Sequence, residues 1–188
     1  MRIISGRFKG RRLKAPAWEG LRPTSDKLRE TLFNILSPRI AGARVLDGYA
    51  GTGAIGLEAI SRGAAHVTFV ECDRRAAALI VENVAACGVE GGYTIHGGDV
   101  ATVLPGLGID AFDLILLDPP YDTVTVEGVL DASARALARD GLLVLEHATR
   151  REPAVPGSLQ RVRDVKSGDS TLTFFIRRAD PAEPPETR

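Results

Sequence analysis

Cysteine is scarce in this 188-residue chain, which holds only Cys72 and Cys87. Two thiols in an apparent strand end and an apparent helix cannot form a disulfide framework, and they fit a reducing, cytosolic compartment. Histidine is almost as rare: His66, His96 and His147 stand singly, with no Cys or His at metal-ligand spacing, so no metal is expected. Long apolar runs are missing too. Nothing approaches the roughly 18 residues of a membrane span, and the opening "MRIISGRFKG" has no apolar stretch of signal-peptide length. Neither a membrane nor a secretory route is indicated. Net charge is also absent, with 24 Lys and Arg against 24 Asp and Glu. What the chain does have is 44% hydrophobic residues over 188 positions, enough for one domain with a core of its own.

The balanced charge is unevenly spread. Residues 1–30 carry nine basic side chains against three acidic ones, and Arg7, Lys9, Arg11 and Arg12 crowd the first twelve positions. That asymmetry suits an arm facing a polyanion, and equally a solvated hairpin rich in arginine. The tail "ADPAEPPETR" (179–188) is Pro- and Glu-rich without an apolar anchor and is expected to be disordered.

Along the chain, "RIIS" and "RRLKAP" flank Gly6 and Gly10 as a short hairpin. "SDKLRETLFNIL" then puts Leu28, Leu32, Phe33, Ile35 and Leu36 on one helical face, with Thr24 or Ser25 as N-cap. Strands are predicted at 43–47, 66–71, 93–96, 112–118 and 141–147, with helices at 54–62, 73–87, 99–104 and 125–139. Strands that are apolar throughout, separated by helices, indicate a parallel sheet covered on both faces. "QRVRDVKSGDSTLTFFIRR" adds two strands around Ser167-Gly168-Asp169-Ser170, so an antiparallel pair finishes the sheet. The divisions expected are a basic hairpin and helix (1–38), an α/β domain (39–178) and the tail.

In such sheets ligands bind beyond the carboxyl ends of the strands. After the first strand, "LDGYAGTGAIGLEA" holds Asp47 and the G-x-G-x-x-G of Gly51, Gly53 and Gly56. That pattern serves a dinucleotide or a plain strand-to-helix turn. The intervening Gly48-Tyr49-Ala50 depart from a nicotinamide fingerprint, and the Asp47 carboxylate suits a ligand with an ammonium or sulfonium charge. Glu71 ends the second strand, where it can accept two ribose hydroxyls or simply face solvent. Asp99, in "HGGDV", can accept from an adenine amine with Val100 near the ring, or cap the next helix. Asp118 ends the fourth strand. Four strand-end acids in succession describe a nucleoside pocket beside a cationic centre.

Asp118-Pro119-Pro120-Tyr121 stops its strand abruptly, because neither proline can donate to a ladder. A carboxylate and the Pro119 carbonyl at a fixed angle can take the two N–H bonds of an exocyclic amine and aim its lone pair. Tyr121 can stack on an unpaired base.

"LDGYAGTGAIGLEAISRGA", "FVECD", "GGDV" and "DPPY", in this order, resemble the motifs of S-adenosylmethionine-dependent methyltransferases of the seven-stranded Rossmann-like class. With "RIISGRFKGRRLKAP" and "LRPTSDKLRETLFNIL" before them, the chain resembles the bacterial 16S ribosomal RNA guanine-N2 methyltransferases from Met1 to about Arg178. The resemblance implies cofactor contact from Asp47, Gly51, Gly53, Glu71 and Asp99, with Cys72 and Val100 beside them. It implies target-base contact from Asp118, Pro119, Pro120 and Tyr121. Arg22, Pro23 and Thr24 would lie near the active site, although Pro23 and Thr24 also make an ordinary helix start. Arg7, Lys9, Arg11 and Arg12 would grip phosphates. Gly48 departs from the bulky apolar residue usual after the first aspartate. The expected cofactor is S-adenosylmethionine. The expected partner is ribosomal RNA in an assembling small subunit, met by a cytoplasmic monomer. Two alternatives stay open on the residues alone: a DNA amino-methyltransferase, and a nucleotide-binding module without chemistry. Neither cysteine is placed to attack a base, which argues for direct transfer to nitrogen.

Overall fold

A computed structural model describes residues 1–16, 18, 26–120 and 126–178. Seven strands form one sheet: β1 (Arg44–Gly48), β2 (His66–Glu71), β3 (Tyr93–Gly97), β4 (Phe112–Leu117), β5 (Leu137–Ala148), β6 (Leu159–Ser167) and β7 (Ser170–Arg177). Their order is β3-β2-β1-β4-β5-β7-β6. The first five strands are parallel, and β7 runs antiparallel between β5 and β6. The order reverses direction at β1, and a switch point of that kind opens a crevice at the carboxyl rim.

Burial on both faces explains the apolar strands. One layer packs α1 (Asp26–Ile40), α2 (Ala54–Ser61) and α3 (Arg74–Ala86) onto Val45, Val67, Phe69, Leu114, Leu116 and Val144. The other packs α4 (Val100–Val103) and α5 (Glu127–Ala136) onto Leu46, Val70, Ile115, Leu117, Leu143 and Leu145. In α1 the buried Leu28, Leu32, Phe33, Leu36 and Ile40 keep helical spacing, and the helix continues through Pro38 beyond the expected stop.

Two expectations need correction. The fifth helix ends at Ala136, not 139, because Leu137 is extended (φ −75°, ψ 129°) and pairs with Phe112 as the irregular start of β5. The opening hairpin is reduced to one bridge, Arg2 to Arg12, with Ile3 N–H donating to the Arg11 carbonyl at 3.0 Å. A longer ladder is prevented because α2 captures the amides. Ile4 and Ser5 donate to the Glu58 carboxylate at 2.7 and 3.0 Å, and Phe8 donates to Ser61 Oγ at 2.9 Å. A Cβ on Gly6 would lie 1.9 Å from the Ser61 carbonyl oxygen, so only glycine fits that approach. The arm is part of the core through Ile3, Phe8 and Leu13.

Glu58 is fully buried and also receives Arg62 Nε at 2.7 Å. Glu58→Ala strands two amides and a guanidinium, and is expected to cost about 3–5 kcal/mol in chemical denaturation, the usual penalty for breaking a buried charge network. A loss under about 1 kcal/mol would show that the arm docks by apolar contact alone.

Candidate active site at the carboxyl rim

The chain after β1 turns through two left-handed residues, Tyr49 (φ 63°) and Gly51 (φ 56°), before Gly53 (φ 77°) starts α2. A bulky non-glycine residue in that region is strained, so the loop must be held from outside. Three contacts hold it. Asp47 Oδ2 accepts the Gly56 N–H at 2.7 Å, Glu71 Oε2 accepts the Gly51 N–H at 2.7 Å, and the Val70 carbonyl accepts the Ala50 N–H at 3.0 Å. Gly53 provides no side-chain cap for α2, and Asp47 does that work from the neighbouring strand. Gly56 lets α2 pack against β2, since a Cβ there would lie 2.2 Å from Phe69 Cε1. Gly48 is explained in the same way: Leu117 Cδ2 would lie 2.6 Å from its Cβ, so Leu117 supplies the bulk.

Glu71 is buried, and its second oxygen accepts the Asp73 N–H at 2.8 Å. Asp73 in turn caps α3, and its pairing with Arg75 lowers its pKa to about 2. Asp99 caps α4 by accepting from Ala101 N–H at 2.8 Å, so the capping role is present at this expected adenine position. Val100 is buried in the layer beneath, and Cys72 is exposed beside Glu71. Desolvation first, then the Glu71 charge, push the Cys72 thiol upward. Tyr49 is pushed up to about 12, by burial and then by Asp99 and Cys72.

Asp118 follows β4 directly, half-buried, and its amide reaches the Gly48 carbonyl at 3.4 Å. Pro119 is buried and Pro120 exposed. Tyr121, Arg22 and Thr24 lie outside the described residues. Alternation along the strands puts Asp47, Glu71 and Asp118 on the face shared by Phe69 and Leu116. Asp47 feels that company. Burial raises its pKa well above the ordinary carboxylate value, the Gly56 N–H opposes the rise, and the charges of Asp118 and Glu71 add to it.

The basic residues lie elsewhere. Arg7, Lys9, Arg11 and Arg12 are exposed, and the Arg11 guanidinium donates to the Cys87 carbonyl at the carboxyl end of α3. Arg7 and Arg11 flank the Phe8 ring at 4.5 and 5.1 Å. Because α3 has 13 residues, Arg11 stands about 20 Å from the Asp73 end that adjoins Glu71. From Arg11 the chain climbs α3: Lys14 N–H donates to Asn83 Oδ1 at 2.7 Å, and Trp18 lies 4.8 Å from the Arg75 guanidinium. Asn83, fully buried, also donates to the Thr52 carbonyl at 3.0 Å. It thereby joins the arm to the glycine loop. The sequence signal for it is an amide inside the apolar stripe of Ala76, Leu79, Ile80 and Val84.

Among the described residues, no group of three His, Cys, Asp or Glu side chains could hold a metal, and no helix is long and apolar enough to cross a membrane.

A family model described as "Conserved hypothetical protein 95" matches residues 1–176. Ribosomal RNA small subunit methyltransferase D of Escherichia coli K12 is 34% identical over 186 residues, covering 95% of this chain and 91% of that protein. A Bacillus subtilis protein named "Putative rRNA methyltransferase YlbH" is 34% identical over 183 residues, covering 95% and 100%. A solved structure named "Putative methyltransferase yhhF from Escherichia coli" superposes with TM-score 0.84 at 35% identity, covering 96% of this chain and 99% of that one.

Asp47→Asn keeps an acceptor for Gly56 and removes the charge. A carboxyl raised by burial contributes stability below its unfolded pKa and loses it as pH rises through the folded value. The melting temperature of the ligand-free variant should therefore gain on the wild type as pH rises from acid to neutral. A variant-minus-wild-type difference in melting temperature that falls as pH rises over that range would contradict the burial of a strained charge.

Proposed function

Because the chain belongs to the family of the small-subunit ribosomal RNA methyltransferases, we propose that it transfers a methyl group from S-adenosylmethionine to the exocyclic N2 of a guanine in 16S ribosomal RNA. The observation that supports this most is the row of Glu71, Asp47 and Asp118 on one face of the rim, beside a glycine loop with buried anchors.

The residues fit the cofactor. Each Glu71 oxygen takes one backbone amide and keeps a lone pair for a ribose hydroxyl. The raised Asp47 carboxyl gains from a nearby cation, which offsets the charges of Asp118 and Glu71. When bound, the cofactor supplies an electrophilic methyl on a sulfonium.

The remaining work belongs to the chain. A guanine amine is a poor nucleophile because its lone pair is delocalised into the ring. Asp118 and the Pro119 carbonyl accept its two N–H bonds, favour a pyramidal nitrogen and stabilise the positive charge that develops there. Neither residue forms a covalent bond to the base, and the surplus proton of the methylated nitrogen leaves by way of the half-buried Asp118 carboxylate to solvent. Tyr121 stacks on the base, and Asp99, Val100 and Cys72 flank the adenine. Arg22 and Thr24 contact cofactor or target nucleotide.

Arg7, Lys9, Arg11 and Arg12 hold RNA phosphates without reading sequence. The distance of about 20 Å between Arg11 and the rim, set by the length of α3, requires an RNA surface that reaches both places. An assembling small ribosomal subunit meets that requirement, with the enzyme acting as a cytoplasmic monomer.

Labelled methyl transfer to naked 16S ribosomal RNA, isolated small subunits and DNA, followed by nucleoside digestion, tests the reading. The expected product is N2-methylguanosine from ribosomal RNA alone; label in DNA or in 5-methylcytosine would overturn it. Asp118→Ala should lower kcat by at least about 10²-fold with S-adenosylhomocysteine affinity retained, the scale of one lost electrostatic partner.

A further inference from the structure

Asp118 and the Pro119 carbonyl would hold the amine of adenine or cytosine as readily as that of guanine, so they do not choose the base. On the reading of the site as a guanine-N2 methyltransferase, we propose that Glu146 makes the choice, by accepting the N1–H of the target guanine.

Its placement carries the argument. Leu117 of β4 pairs with Leu145 of β5 in parallel register. Continued one residue past the end of β4, that register brings Asp118 alongside Glu146 of β5, at the roughly 4.8 Å spacing of neighbouring strands. Alternation from Leu116 and Val144 puts both on the face that carries Asp47 and Glu71. Across the sheet the order is therefore Glu71, Asp47, Asp118, Glu146, following β2, β1, β4 and β5. An amine held at Asp118 and directed at a cofactor over β1 and β2 leaves its purine ring extending towards β5. The ring atom next to the amine then faces Glu146.

That atom differs among the bases. In guanine the amine carbon is flanked by N1–H and N3, and the N1 edge is the one that can meet a carboxylate, whereas the flanking ring nitrogen of adenine or cytosine has only a lone pair. A carboxylate accepts and cannot donate, so it pairs with the first and repels the others. Glu146 is only 7% exposed, beside Val144 and opposite Leu172 of β7. Low exposure sharpens that discrimination, because repulsion between a carboxylate and a lone pair is screened less in a buried site.

The test uses small subunits reconstituted with 16S ribosomal RNA that carries guanine or 2-aminopurine at the mapped methylation site. 2-Aminopurine keeps the amine and replaces N1–H by a lone pair. The wild type should prefer guanine by about 10²-fold or more in kcat/KM, as expected for loss of a built-in hydrogen bond. In Glu146→Gln, whose amide can accept or donate, the rate on guanine should fall and the preference should collapse towards parity. S-adenosylhomocysteine affinity should not change. Glu146→Asp, retaining the charge, should keep the preference at a lower rate. N2-methylation of guanine with a preference unchanged by Glu146→Gln overturns this inference alone, as does a wild type that accepts both nucleotides equally. A wild type that methylates neither at N2 overturns the functional reading and this inference with it.

Discussion

Burying carboxylates at the end of a parallel sheet is costly, and the shape of this site follows from how that cost is met. Asp47 and Glu71 are both nearly sealed from solvent; Asp47 is held by the Gly56 N–H in the first turn of α2, and Glu71 by the Gly51 and Asp73 N–H groups that follow β1 and β2. The strained turn at Tyr49 and the approach at Gly51 persist because these two acids hold the loop. The acids in turn stay buried because the loop supplies donors. Removing either side leaves the other unsatisfied, which is how a local strain becomes a fixed feature of a site.

The amino-terminal arm extends that dependence to the far end of the molecule. Glu58 and Ser61 fix it to α2, and Asn83 links Lys14 to Thr52 in the glycine loop. The exposed arginines are thus displayed by a rigid edge continuous with the core. The arm proposed to contact phosphate and the rim proposed to carry the chemistry are separated in space and connected through one packed layer.

Much of this was legible in the sequence. Apolar strands ending in Asp47, Glu71 and Asp118 announce a covered parallel sheet with an acidic rim, since both the pattern and the terminal acids are local features. The Pro119-Pro120 corner is equally local. What could not be read depends on contacts distant in sequence. The hairpin forms but its ladder is cut short by Glu58, which looks like an ordinary helix acid until Ile4 and Ser5 meet it. The end of α5 is set by the pairing of Leu137 with Phe112, against a pattern that continues as helix. Gly48 departs from the usual bulky residue, and it is the space that Leu117 fills. Glu146 is an acid near the end of "GLLVLEH", and the role proposed for it rests on carrying the register of Leu117 and Leu145 one residue on, which no local pattern reveals.

The central claim is that the rim holds more negative charge than it can bear alone and that a cationic cofactor relieves it. Calorimetry of S-adenosylmethionine binding in buffers of different ionisation enthalpy, over roughly pH 5 to 8, measures this through the protons exchanged. Burial and the neighbouring acids hold the Asp47 pKa high, and a sulfonium with an ammonium should lower it. The account predicts net proton release on binding, larger for S-adenosylmethionine than for the uncharged sulfur of S-adenosylhomocysteine. Proton uptake, or no exchange at any pH in that range, would contradict it.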